Sequence, residues 1–302
     1  MKYSNIVHAF FDHPWAILPE KLTAISELII LRAKGGKLTD EEIEARTGGK
    51  ARTGRPKAVR GSIAVLPVHG TISQRIGMME EASGGVGADE LGAEFDSLIN
   101  DPNVGAVVFD ISSPGGSVYG VGELAAKVHA ARGTKPIIAV ANSLAASAAY
   151  WLASAADEIV VTPGGQVGSI GVFMEHLDVS GYEDNIGMKT TLISAGKYKV
   201  EGHPYGPLDD DARAALQKSV DEYYDMFVSA VAKNRGASKS DVRNGYGEGR
   251  VVGAKEAVDV GLADRVATFE QVLNDLAARQ SAQKAKGNAA LAALSIAEAE
   301  LN

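Results

Sequence analysis

Residues 136–157 read PIIAVANSLAASAAYWLASAAD, and no charged side chain occurs between Pro136 and Ala156. That length approaches what a bilayer-spanning helix requires, yet the stretch holds Pro136, Asn142, Ser143, Ser147 and Ser154, and its nine alanines add little hydrophobicity. The residue types fit a buried strand (PIIAVA), a tight turn, and then a helix whose small residues let another group approach the backbone closely. A membrane span is the weaker reading.

The same alternation extends on both sides. SIAVLPVHG (62–70) reads as a strand, ADELGAEFDSLIND (88–101) as an amphipathic helix, VGAVVFDIS (104–112) as a buried strand and SVYGVGELAAKVHAARG (117–133) as a helix stopped by Gly133. After the small-residue helix come EIVVTP, VGSIGVFM and KTTLISAG as further strands, then a long helix in DDDARAALQKSVDEYYDMFVSAVAKNRG (209–236) and a short one around VVGAKEAVDVGLAD. Asp209 to Asp211 favour the start of the long helix. Strands alternating with helices predict an α/β fold with a mainly parallel sheet and crossover helices, whose ligands bind beyond the carboxyl ends of the strands.

Outside this body, residues 1–46 are expected to form a small helical preface, because Leu22, Ile25, Leu28 and Ile29 recur at helical spacing and Gly35-Gly36 ends the pattern. Residues 47–61 carry Lys50, Arg52, Arg55, Lys57 and Arg60 without an acid, which reads as a basic, flexible linker. The main domain then covers 62–279, and the alanine-rich residues 280–302 read as a frayed tail in preference to a helix that packs on a partner. No secretory signal is evident, since Asp12 and Pro14 interrupt the apolar start. A cytoplasmic protein is the default expectation.

A net charge of −8 over 302 residues speaks against a general nucleic-acid binder, which needs a basic face. The absence of cysteine excludes a disulfide scaffold, a thiol nucleophile and a cysteine-rich zinc site. SGGVG (83–87) lacks the lysine and the strand-helix frame of a phosphate loop, and reads as a mobile loop near a groove. No cofactor, metal or nucleotide is expected.

Three pieces lie where such a sheet would place a site. SSPGGSV (112–118) follows a buried strand, and Gly115-Gly116 let backbone N–H groups face a ligand or a developing oxyanion. Ser147 opens the small-residue helix, where the N–H of Ala148 joins that of Gly116 as an oxyanion donor; helix packing alone would also choose a small residue there. A serine needs a base. Of the histidines, His8 and His13 lie in the preface and His129 within a helix, leaving His69, His176 and His203 open by position. SAGKYKVEGHPYG (194–206) adds Lys197 and Lys199, either of which can act as a base if burial disfavours its ammonium form.

SPGGSV, ANSLAASAAYWLASAADEIVVTPGGQVGSIGV, ISAGKYKVEGHPYGPL and GRVVGAKEAVDVGLAD, in this order and at these spacings, resemble the signal peptide peptidase A family of serine proteases. That family shares a superfamily with the Clp proteases and the crotonases, and the resemblance covers about residues 62–270. It implies a Clp/crotonase-like fold and a serine-lysine dyad, with Ser147 as nucleophile and Lys199, rather than Lys197, as base. Ser169, in GSIGV, would hydrogen-bond the lysine. The oxyanion hole falls on the SPGG turn, Gly115 and Gly116, with Ala148. Here Ala148-Ala149 stand where the family usually has Gly-Gly, which keeps the side chains small and narrows the approach. His176 is off the spacing at which Clp proteases carry their histidine.

HPWAILPEKL, the basic linker and KVEGHPYGPLDDDAR look like the phage prohead branch of that family, the head-maturation proteases that trim scaffold, portal or capsid proteins inside an assembling shell. The resemblance also implies protein or peptide substrates and a homo-oligomer, for which Tyr223, Tyr224 and Phe227 of the long helix offer contact area unless they pack in the core. Three alternatives stand beside it: a soluble bacterial peptidase, a crotonase-like acyl-CoA enzyme, and a noncatalytic assembly module.

Overall fold

The computed structural model describes residues 13–33, 36, 39, 57–59, 62–75 and 85–300. In chain order the elements are β1 (Trp15–Ile17), α1 (Pro19–Ala33), β2 (Lys57–Val59), β3 (Ile63–His69), β4 (Thr71–Ser73), β5 (Gly85–Gly87), α2 (Ala88–Asn100), β6 (Ala106–Ser113), β7 (Gly115–Ser117) and α3 (Val121–Ala130). There follow β8 (Ile137–Ala146), α4 (Ala148–Ser154), β9 (Glu158–Val161), β10 (Gln166–Gly168), α5 (Ser180–Asn185), α6 (Asp210–Arg235), α7 (Lys239–Gly245), β11 (Val251–Gly253), α8 (Ala254–Asp259), β12 (Arg265–Val266) and α9 (Phe269–Glu300).

The larger sheet runs β11-β10-β8-β6-β3-β2, with β9 against β8 and β12 against β9. Its pairings are parallel except at β2 and β11. This is the α/β class expected from the alternation. Side chains of β6 divide by period 2: Val107, Phe109 and Ile111 enter the core beneath α2, α3 and α4, while Ala106 and Val108 face Val272, Leu273 and Leu276 of α9. A sheet covered on both faces explains why these strands read as nearly continuous apolar runs.

Strand β8 changes partner midway. Ile138–Ala141 pair with β9, and Leu144–Ala146 with β10. Its register with β6 slips from Ile111↔Ala141 to Ser112↔Leu144, so Asn142 and Ser143 bulge, with Ser143 at φ 93°. The bulge bends the strand and delivers its end to β10. On the neighbouring strand, Pro114 carries the chain from β6 into a smaller sheet of order β1-β7-β4-β5.

The long helix α6 begins where Asp209 accepts the Ala212 N–H at 2.7 Å and stops at left-handed Gly236. Its aromatics serve the fold. Phe227 is buried and stacks on Trp151 with centroids 4.7 Å apart, Tyr223 meets Tyr119 edge-on, and Tyr224 lies beneath the Arg243 guanidinium.

Several expectations are corrected. WAI in the preface is a strand, because β7 offers it an edge. KTTLISAG is irregular and mostly exposed, since strand-forming residues without a partner strand do not pair. Only Val167 and Gly168 of VGSIGVFM belong to a strand, which ends where Gly168 and Ser169 take positive φ. Of the basic linker, Lys57–Val59 pair antiparallel with Ile63–Val65, while 47–56, 60 and 61 lie outside the described residues. Gly85–Gly87 of the glycine-rich loop form a strand beside Thr71–Ser73; Ser83 and Gly84 lie outside the described residues. Of the two readings of the C-terminal stretch, the helix holds: α9 continues to Glu300, consistent with its many good helix formers.

Candidate active site

Ser147 stands between the last residue of β8 and the first of α4, at φ 55° and ψ −119°. Backbone in such a sparsely populated region costs about 1–3 kcal/mol unless its surroundings impose it. Here they do. The Ser147 N–H donates to the Gly168 carbonyl at 2.7 Å, its own carbonyl accepts the Trp151 N–H at 2.9 Å, and its Oγ lies 3.4 Å from the Gly171 carbonyl. All of Ala148–Ser154 is buried. Arg132 closes the far end of this helix, donating to the carbonyls of Ser154, Ala155 and Ala156 at 2.8, 2.9 and 2.5 Å, and to that of Asn234 at 3.0 Å. Burial draws the Arg132 pKa down, against the opposing charge of Asp157.

Glycine is required twice beside the serine. A Cβ on Gly115, at φ 102°, would fall onto the Ala16 carbonyl oxygen and 2.9 Å from the Ser147 Cβ. A Cβ on Gly116 would run into the Ile72 backbone. The backbone of β7 therefore passes Ser147 with no side chain between them. The Gly115 N–H is engaged by Ser113 Oγ at 3.2 Å. The Gly116 N–H faces β1: the Leu18 N–H donates to the Pro114 carbonyl and the Val118 N–H to that of Pro14, and alternation along an antiparallel ladder makes Ala16–Gly116 the hydrogen-bonding pair between them. The Ala148 N–H belongs to a helical first turn, where amides have no intrahelical partner.

Ser169 is buried, at φ 54°, and its N–H donates to the Arg250 carbonyl at 2.7 Å. It adjoins Gly168, which holds the Ser147 amide, so the two serines share one backbone support. Lys199 is elsewhere. It is exposed on the 172–209 excursion between β10 and α6, and among the described residues its side chain has no hydrogen bond or ion pair to Ser147 or Ser169. It lines a cavity of about 750 Å³ with His176, Tyr182, His203 and Tyr205, distinct from the Ser147 elbow. Lys197 contacts the Tyr198 hydroxyl at 2.6 Å and lies 3.9 Å from Asp211.

The histidines left open by position make other contacts. His69 Nε2 pairs with Asp110 at 3.3 Å, the His176 ring faces the Gly206 carbonyl, and His203 Nδ1 accepts the Tyr205 N–H. The structure thus brings Ser147, Gly115, Gly116, Ala148 and Ser169 together, while Lys199 is exposed and lines a cavity to which Ser147 does not contribute. Sequence reasoning missed Ala16 as a neighbour of the elbow; the only signal was its place in an apolar WAI triplet.

Residues 129–283 match peptidase family S49. The chain is 35% identical over 235 residues to "Capsid assembly protease C" of Escherichia phage lambda, covering 78% of this chain and 53% of that protein. It is 35% identical over 237 residues to "Head-tail preconnector protein GP5" of Enterobacteria phage P21, covering 78% and 47%. It thus spans about half the length of these two relatives. "Serine protease SPPA, chloroplastic" of Arabidopsis thaliana is 28% identical over 255 residues, 84% of this chain and 37% of that one. Among solved structures, a ClpP1 mutant from Listeria monocytogenes aligns with a TM-score of 0.42 and 14% identity, covering 68% of this chain and 92% of that one.

Proposed function

Because this chain belongs to peptidase family S49, we propose that it is a serine endopeptidase whose protease unit, residues 62–279, works through Ser147 and Lys199. Ser147 Oγ attacks a peptide carbonyl while its proton passes to the neutral amine of Lys199. The oxyanion of the tetrahedral intermediate is held by the N–H groups of Gly116 and Ala148. Collapse breaks the C–N bond, and the lysine returns the proton to the leaving amine; water then releases the acyl group from Ser147 by the same steps. Ser169 orients the lysine amine.

The observation that carries this reading is the elbow. A serine held at positive φ, beside two glycines that admit no side chain, has no evident use in packing alone. Strain of this kind collects at catalytic positions. The exposure of Lys199, in a cavity to which Ser147 does not contribute, supports a site completed between copies of the chain. Lys199 lies on an excursion that also exposes Ile186, Met188, Leu192, Ile193 and Tyr198, an apolar surface suited to a neighbouring copy. A homo-oligomer follows from the proposal.

The substrates proposed are capsid, scaffold or portal proteins trimmed during phage head assembly in the host cytoplasm, on the strength of the two phage relatives. Co-expression with a capsid and its scaffold tests this: shortened products with the wild type, and none with Ser147→Ala, are expected. The second reading is a cellular peptidase of the SPPA kind, favoured by a relative that spans 84% of this chain. Among the described residues, no helix is long and apolar enough to cross a membrane. Cleavage of unfolded chains in general, with capsid and scaffold spared, would favour that reading.

A further inference from the structure

Strand β1 has two partners. On one side Trp15, Ala16 and Ile17 pair antiparallel with Ser117, Gly116 and Gly115. On the other, the Trp15 N–H donates to the Phe173 carbonyl at 2.8 Å, and the Phe173 N–H returns a bond to the Trp15 carbonyl at 3.0 Å. Residues 14–18 thus lie extended between β7 and the segment that follows Ser169. The contacts on both edges are main-chain bonds, which any extended peptide can make. A Cβ built on Gly115 would lie 2.3 Å from the Ala16 carbonyl oxygen and 2.9 Å from the Ser147 Cβ, so the Ala16 carbonyl and Ser147 border the same side of Gly115. The same carbonyl faces the Gly116 amide, as a scissile carbonyl would. Trp15 and Ile17 enter a small satellite cluster with Leu22, Ile25 and Ile29, while Ala16 points into the main core and is fully covered.

We propose that Pro14–Leu18 occupies the groove in which an extended peptide substrate binds, so that the chain's own N-terminal segment covers Ser147 and must leave before a substrate enters. The proposal rests on the reading of Ser147 as nucleophile. Its corollary is that the residue supplying the scissile carbonyl is small, because the place held by Ala16 has no room for more. The helix α1 rests on that same satellite cluster, with Phe173 and Leu177 packed against it, so β1 and α1 release together and uncover both edges.

The test uses full-length Ser147→Ala, to prevent cleavage, with and without Ala16→Arg, which puts a charge where no solvent reaches. The probe is a fluorescein-labelled peptide of the sequence His13–Glu20, HPWAILPE, with binding read by anisotropy and groove occupancy by amide exchange of residues 115–118. Ala16→Arg is expected to bind the probe at least tenfold more tightly. Exchange at 115–118 is expected to quicken in that variant and to slow again when probe is added. Ile17→Arg, at the next position, should behave alike. Equal probe affinity with and without the substitution, or unchanged exchange, overturns the proposal; so does a variant that fails to bind the probe, since an emptied groove must accept it. Cleavage of the probe by Ser147→Ala would instead sink the catalytic assignment and leave the binding comparison standing.

Discussion

The amide of Ser147 donates to the carbonyl of Gly168 at 2.7 Å, tying the end of β8 to the end of β10. Three residues around that bond, Ser147, Gly168 and Ser169, have positive φ. The next bond outward, from the Ser169 N–H to the Arg250 carbonyl, anchors them to the approach to β11. The elbow is therefore held where the parallel strands β8 and β10 end together, and the serine is poised by backbone rather than by its own side chain.

Gly168→Ala tests that support. Its φ is 112°, and an added Cβ would stand 2.9 Å from the Arg250 carbonyl oxygen. The substitution is expected to lower stability by about 1–3 kcal/mol and to reduce kcat/KM at least tenfold by shifting Ser147. Urea denaturation and peptide hydrolysis measure the two effects.

If the dyad is completed between copies, Ser147→Ala and Lys199→Ala should each lose at least about 1000-fold in activity, and a mixture co-assembled from the two should regain part of it. Lys197→Ala should stay active, since that side chain pairs with Tyr198 and Asp211 at the surface. No recovery in the co-assembled mixture would place both members of the dyad in one chain.

Arg132→Ala should destabilise the fold without entering the chemistry. It frees the carbonyls of Ser154, Ala155 and Ala156 at the end of the serine's own helix. Unsatisfied buried acceptors cost about 1–3 kcal/mol each where water cannot reach them. A loss of at least about 2 kcal/mol in chemical denaturation is expected, and Arg132→Lys should recover only part of it because one ammonium cannot span the carbonyls the fork reaches.

Burial pushes the Asp264 carboxyl up, but hydrogen bonds from Arg235 at 2.8 and 3.0 Å and from the Ile159 N–H at 2.7 Å outweigh it and hold its pKa below the usual carboxylate value. A depressed carboxylate pKa stabilises the fold above the unfolded value of about 3.9, and that stability is lost as pH falls through the folded one. Asp264→Asn should therefore lower Tm at pH 7, and the gap to wild type should close below about pH 4. A gap that stays constant with pH would mean that packing, not charge, is what Asp264 supplies.

The elbow was legible because its determinants are local: PIIAVA is apolar on both faces, Gly115-Gly116 carry no side chain, and Ala148-Ala149 keep the approach to Ser147 clear, although Gly115 and Gly116 extend strand β7 instead of forming the expected turn. The strand WAI was not, because three residues carry no period and pair only when β7 and Phe173 offer edges in space. KTTLISAG misled in the opposite sense, having the composition of a strand and no partner. Where Lys199 stands relative to Ser147 was also beyond reach of spacing, since the exposed 172–209 excursion sets it and a neighbouring copy is what it is proposed to meet.

Serine-lysine peptide hydrolysis is tested most directly by a mass-spectrometric time course of an unfolded protein substrate incubated with wild type, Ser147→Ala and Lys199→Ala from pH 6 to 10. Cleavage by wild type alone, with no fragments from either variant at any pH, is expected. Equal cleavage by all three proteins would contradict the assignment of Ser147 and Lys199.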